Sequence, residues 1–195
     1  MGRQPHRAGA GRRRPAAGAR RPLHGVAAGR GRAGVSILAE GDGPPLHLHA
    51  SAAVLGERGV LIRGASGAGK TSLALALVEH ARTRGAFARI VADDRTLVTR
   101  HGDRLVARPH PAVAGRVERR GIGIGIVPVD HEPACVVALV VDLVAGRPER
   151  MPEPGALQCE VGGIVLPRIA VAAGSPTLDI VALVATASTM SGMPP

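Results

Sequence analysis

The sequence predicts a mixed α/β domain with a strand-rich sheet, more antiparallel in its pairing than a doubly wound fold. Three observations lead there. Apolar runs of strand length recur between Leu46 and Pro167. One segment only, Thr71–Arg84, has clear helical spacing, with Leu73, Leu77 and Val78 on one side. A glycine-rich turn joins that helix to the strand before it, as a sheet with crossover helices requires.

In chain order, Leu46–Leu55 and Gly59–Arg63 read as strands around a Gly-Glu-Arg-Gly turn. Ala88–Ala92 is a short strand after the helix, and Thr96–Thr99 with Arg104–Ala107 form a hairpin around His101-Gly102-Asp103. Ile122–Val129, Val136–Val144 and Gly163–Pro167 read as further strands, while Thr177–Ala187 fits helix or strand equally. The expected catalytic domain is residues 35–187, with residues 188–195 a flexible tail. One domain of this size buries roughly two-thirds of its unfolded surface.

Charge is unevenly placed. Of the 25 basic residues, nine arginines lie in residues 1–34, which hold no acid, so the net charge of +10 belongs to that segment. The rest of the chain is close to neutral, which argues against a nucleic-acid-binding domain. Residues 1–34 are mostly Gly, Ala, Arg and Pro and read as disordered, because they cannot bury enough surface to offset ordering. Three readings compete for them: a solvated or artefactual extension, an arginine arm touching nucleic acid or acidic lipid, and a transit peptide. The last lacks the expected serines.

Composition excludes other classes. There is no Trp or Tyr and one Phe, which removes base-stacking and aromatic-cage recognition. No apolar run approaches the ~20 residues of a membrane span, and no secretory h-region is present. Cys135 and Cys159 lack metal-ligand or redox spacing and read as reduced thiols of a cytoplasmic protein.

Gly64-Ala65-Ser66-Gly67-Ala68-Gly69-Lys70-Thr71 matches the phosphate-loop pattern at every fixed position, between a strand and a helix. Its glycines let backbone N–H groups converge on phosphate oxygens, and the helix N-terminus adds positive charge. Lys70 would reach the β- and γ-phosphates of ATP, and the Thr71 hydroxyl would sit on Mg²⁺. Lys70 is the only lysine in the chain, so the single ammonium stands where such a loop needs it. The missing second lysine excludes the Asn-Lys-x-Asp motif of regulatory GTPases, and no transporter-type Leu-Ser-Gly-Gly signature is present. For the metal and base roles two acidic sites remain open, Asp93-Asp94 and Asp142.

From about Leu46 to Val171 the chain resembles the C-terminal kinase domain of the HPr kinase/phosphorylase family, in its short form. The resemblance rests on five pieces in order: His49, Gly64–Thr71, Val91-Ala92-Asp93-Asp94, Val117-Glu118-Arg119-Arg120-Gly121-Ile122-Gly123-Ile124, and Arg150-Met151-Pro152-Glu153-Pro154. It implies a P-loop kinase that phosphorylates a serine of HPr, a small phosphocarrier protein, using ATP and Mg²⁺. Asp93 would be the acid/base residue, His49 beside it would orient it, and Asp94 would be a metal-side partner. Glu118 would hold Mg²⁺ with Thr71, and Arg150 would steady the transferring phosphate. The resemblance also implies homo-oligomers, through C-terminal helices that are shortened here after Ala187. Two departures stand out. Residues Glu79–Phe87 lengthen the helix or its exit loop, and Ala170–Ser175 lacks the basic residues of the family's dephosphorylation loop. A forward kinase with weak or absent phosphorylase activity is therefore expected. Two other readings keep the nucleotide site: a small-molecule kinase or ATPase with metal on Asp142, and a nucleotide-sensing regulator.

Overall fold

The structure is a computed structural model that describes residues 41–119, 125–128, 130–175 and 177–190. The expected N-terminal extension, the Arg120–Ile124 part of the signature and residues 191–195 lie outside the described residues.

Eleven strands are described: β1 Leu46–Leu48, β2 Ala50–Leu55, β3 Arg58–Gly64, β4 Ala88–Ala92, β5 Thr96–His101, β6 Arg104–Pro109, β7 Arg116–Arg119, β8 Gly125–Pro128, β9 Cys135–Val144, β10 Gln158–Val161 and β11 Ile164–Ala172. The helices are α1 Lys70–Thr83 and α2 Thr177–Met190. Nine strands form one sheet with the path β1-β5-β6-β9-β3-β2-β4, with β11 on β9 and β10 on β11; β7 and β8 pair separately. Two pairings, β3 with β9 and β9 with β11, are parallel, and the other seven are antiparallel. The sheet is mixed and strand-rich, as expected.

β3 and β9 are covered on both faces, which is why they read as continuous apolar runs rather than alternating ones. Val60, Ile62, Leu139 and Val141 pack with Leu73 and Leu77 of α1 and Val181 and Val184 of α2. Leu61, Val137 and Val140 point the other way, against Val98, Leu105 and Leu166. The ambiguous C-terminal segment is helix because Ile180, Val181 and Val184 recur at helical spacing and are buried. α2 runs to Met190, past the expected boundary at 187. Among the described residues no helix is long and apolar enough to cross a membrane.

The expected single strand Leu46–Leu55 is two strands broken at His49. β1 pairs with β5, whereas β2 pairs with β3 and β4, so the chain must change partners between them. The Thr96 hydroxyl donates to the Ala50 carbonyl at 2.6 Å beside this break. The hairpin is longer than expected, with Gly102 at φ 63° in its turn. β7 and β10 were not expected from the sequence. Their short runs carry charged residues and lack a clear alternating pattern.

Both cysteines are free thiols. Burial pushes Cys135 up to about 12. Leu77 is 1 % exposed between α1 and the sheet. Leu77→Ala should cost about 2–5 kcal/mol, read as a lower urea midpoint at unchanged slope.

Candidate functional site

The site grows from the turn between β3 and α1. At Gly64 (φ 155°) a Cβ would come within 2.9 Å of the Leu143 side chain and carbonyl, so the chain can pass over β9 there only without a side chain. Gly69 (φ 99°) is the residue before α1, in a conformation that favours glycine. No side chain caps α1 and its first turn has no acid, so the helix N-terminus is left uncapped by side chains.

Lys70 is 5 % exposed. Its ammonium donates to the Gly64 and Ala65 carbonyls at 3.1 and 3.0 Å, and lies 2.9 Å from His49 Nε2. An ammonium has only protons to give, so His49 Nε2 is the acceptor and the ring proton sits on Nδ1. Nδ1 then donates to Asp94, whose backbone oxygen and Oδ1 both lie 3.2 Å away. His49 thus joins Lys70 to Asp94. The expected contact of His49 with Asp93 is not the one formed.

Asp93 is 4 % exposed and faces inward. It accepts from the Ser51 hydroxyl at 2.6 Å, from the Thr71 hydroxyl at 2.8 Å and from the Glu118 N–H at 3.3 Å. Asp94 is half exposed and has φ 62°, and is the one non-glycine residue with positive φ among the described residues. Such a conformation costs about 1–3 kcal/mol and collects at functional positions.

A cavity of about 850 Å³ opens over the loop. Ser66, Gly67, Gly69, Lys70 and Thr71 form its floor, Asp94, Glu118 and Asp130 bring carboxylates to it, and one flank of α1 forms a wall. This volume lies within the usual range for small-molecule sites. Of the sequence-predicted residues, the loop, His49, Lys70, Thr71, Asp93 and Glu118 come together. Arg150 does not. It lies exposed beyond β9, away from the cavity wall, because the chain leaves β9 into an exposed loop.

Sequence reasoning missed Ser51 and Asp130. Ser51 follows His49 by two residues, and a fully buried serine in an apolar strand is a signal that it holds a partner.

Residues 44–132 match the family model described as HPr Serine kinase C-terminal domain. The chain is 36 % identical over 81 residues to the HPr kinase/phosphorylase of Mycoplasma mycoides subsp. mycoides, covering 42 % of this chain and 24 % of that protein. It is 34 % identical over 110 residues to the HPr kinase/phosphorylase of Chloroherpeton thalassium, covering 52 % and 30 %. Among solved structures it is similar to the Hpr(Ser) kinase/phosphatase from Coxiella burnetii, with TM-score 0.55, 28 % identity, and coverage of 75 % of this chain and 99 % of that one. Over the matched residues the chain is similar to the HPr kinase/phosphorylase family. The matches span less than a third of the length of those curated relatives.

Asp142, the other acidic candidate, is engaged inside this HPr kinase-type fold. Arg63 donates two bonds to it, at 2.7 and 2.8 Å, and Arg168 donates another at 2.5 Å. The three residues tie β3, β9 and β11 together just below the glycine-rich turn. Burial of the Asp142 carboxyl works against its charge, but the hydrogen bonds from Arg63 and Arg168 outweigh burial and hold it below the usual carboxylate range. The same pairing raises Arg63.

A carboxylate held low when folded adds stability above its unfolded value of about 4 and loses it as pH falls through the folded value. Asp142→Asn should therefore cost about 3–5 kcal/mol at pH 7, because it leaves two part-buried arginines unpaired. The gap to the parent chain should close below about pH 4 in urea melts. A gap independent of pH would mean that packing, not charge, is lost.

Proposed function

We propose that the chain is an ATP- and Mg²⁺-dependent serine kinase acting on an HPr-type phosphocarrier protein, with Asp94 rather than Asp93 as the proton acceptor. The observation that carries the reading is the position of Asp94. It stands at the wall of the cavity over the glycine-rich turn, held by His49, which is held in turn by the loop lysine. Similarity to that family supports the reaction class, and the cavity volume suits a nucleoside triphosphate.

In this reading the phosphates lie on the backbone N–H groups of Gly67–Thr71, and Lys70 turns from its loop carbonyls to the β- and γ-phosphates. Mg²⁺ suits the oxygen donors here, since it is usually held by one or two carboxylates together with substrate phosphates. The Thr71 hydroxyl and Glu118, both at the cavity wall, would hold it, with Asp93 orienting the Thr71 hydroxyl. It would neutralise charge on the transferring group.

The serine oxygen attacks the γ-phosphorus, the bond from that phosphorus to the bridging oxygen of ADP breaks, and the serine proton passes to Asp94. His49 Nδ1–H orients that carboxylate. Asp93 is less suited to the proton, because its oxygens already accept from Ser51, Thr71 and Glu118 and it does not line the cavity. Arg150 would take part only by moving inward. A metal on Asp142 is disfavoured, because Arg63 and Arg168 already engage that carboxylate. The lack of basic residues over Ala170–Ser175 supports weak phosphorylase activity. Such an enzyme would work in the cytoplasm, where its phosphocarrier and ATP are.

The test is incubation of the full chain with purified HPr, γ-labelled ATP and Mg²⁺. Label should appear on a serine of HPr. Asp94→Asn should slow transfer by about a hundred- to ten-thousand-fold with nucleotide binding retained. Asp93→Asn should instead raise the Mg²⁺ concentration needed for half-maximal rate. Full activity in Asp94→Asn would return the base role to Asp93, and no label on HPr would redirect the substrate.

A further inference from the structure

The Lys70 ammonium has three protons to give and three acceptors that take them. Two acceptors are the Gly64 and Ala65 carbonyls of its own turn, and the third is His49 Nε2, from the break between β1 and β2. The ammonium is therefore saturated before any phosphate arrives. At 5 % exposure it has little contact with water, so an acceptor is costly for it to lose. A phosphate oxygen is received only in exchange for one of the three.

The three acceptors are not alike. The carbonyls travel with the turn on which phosphates would lie, whereas His49 ties the lysine to a different part of the sheet. The His49 side chain is 47 % exposed, so water can take the place of the ammonium at Nε2. The ring also has room to move. A second cavity, of about 300 Å³, is lined by His49 together with Leu48, His110 and Asp94, and Asp94 lines the first cavity as well. His49 thus gives up the lysine at little cost, while the lysine gives up His49 only to another acceptor. Through Nδ1 the same ring holds Asp94. An imidazole is rigid, so fixing Nε2 on the lysine fixes Nδ1 too.

We propose that His49 is an autoinhibitory latch on Lys70. In the empty site it occupies the proton that a phosphate oxygen would take, and nucleotide binding must break that hydrogen bond. The release frees the ring that positions Asp94, so the proton acceptor becomes adjustable only once nucleotide is in place. The latch rests on the nucleotide part of the kinase reading and needs no particular acceptor protein. His49 is in this sense a positioning residue that weakens nucleotide binding, although it stands beside the phosphate loop.

The test uses the full chain with ADP and Mg²⁺, followed by isothermal titration calorimetry. His49→Phe keeps the bulk of the ring and His49→Ala does not; both remove the acceptor. Each should bind ADP about three- to tenfold more tightly than the parent chain. His49→Gln, whose amide oxygen still accepts from an ammonium, should stay within about twofold of the parent. In a Lys70→Met background neither His49→Phe nor His49→Ala should tighten binding, since no ammonium is left to release. Lys70 is the only lysine, so a chain labelled with ¹³C at the lysine ε-carbon reports on it alone. That signal should move on His49→Phe without nucleotide, and in the parent on adding ADP. In transfer to HPr, His49→Phe should lower kcat by up to about a hundredfold as Asp94 loses its orienting donor. Affinity and turnover then move in opposite directions, whereas a merely disturbed fold would lose both. Equal or weaker ADP binding by both His49→Phe and His49→Ala, or tightening that persists without Lys70, overturns the latch and leaves the nucleotide site standing. ADP binding by neither the parent nor these variants overturns the latch together with the nucleotide reading.

Discussion

The buried carboxylate of Asp93 is the point on which the site depends. Its acceptors are met by a hydroxyl from β2, a hydroxyl from the first turn of α1 and an N–H from β7. A carboxylate at 4 % exposure needs such donors, because buried acceptors without them are strongly unfavourable. Satisfying it brings three separate elements into fixed relation. The glycine-rich turn then has a defined floor, and Thr71 has a defined direction. Placing Asp93 at the end of β4 also forces the next residue outward.

That next residue is Asp94, and the outward turn is made at φ 62°. Asp tolerates this conformation better than most residues, but it is still a strained one. Here the strain separates two adjacent carboxylates by environment. One is enclosed and fully engaged, the other stands at the shared wall of two cavities. His49 reaches Asp94 only because the chain breaks between β1 and β2. The change of sheet partner at His49 is therefore a condition of the Lys70–His49–Asp94 line, not an accident of strand ends.

Much of the architecture was legible in the sequence. The loop pattern gave both neighbours of Gly64–Thr71, and α1 appears within one residue of the predicted segment at each end. Strands buried on both faces stood out as apolar runs, since Val60–Ile62 of β3 is wholly apolar and only Asp142 interrupts β9. β10 and β7 were not legible, because short half-exposed strands have no such run. The site was legible in its membership more than in its pairing. Which of two neighbouring aspartates faces the cavity depends on one backbone angle, and a residue string does not contain it. The resemblance named Asp93 for the acid/base role; the geometry instead gives the cavity wall to Asp94. Arg150 matched a motif, yet the turn after β9 leaves it on the surface.

Asp142 shows how pairing decides between readings that composition leaves equal. An acid ending an apolar strand near a glycine-rich turn has the sequence appearance of a metal ligand. In the fold it lies between Arg63 and Arg168, on strands that run parallel to its own on either side. Parallel strands put residues of matching register side by side, so Arg63 opposes Asp142 directly and Arg168 lies two positions away in register. Both arginines can then reach the carboxylate without crossing a strand. Arg168 also donates to the Ala156 carbonyl at 3.0 Å, which fastens the approach to β10 onto the same charge. The arginine beside the glycine-rich turn is thereby held away from the cavity. Lys70 remains the cation that the turn itself presents, which gives a physical role to the one lysine in a chain that elsewhere uses arginine.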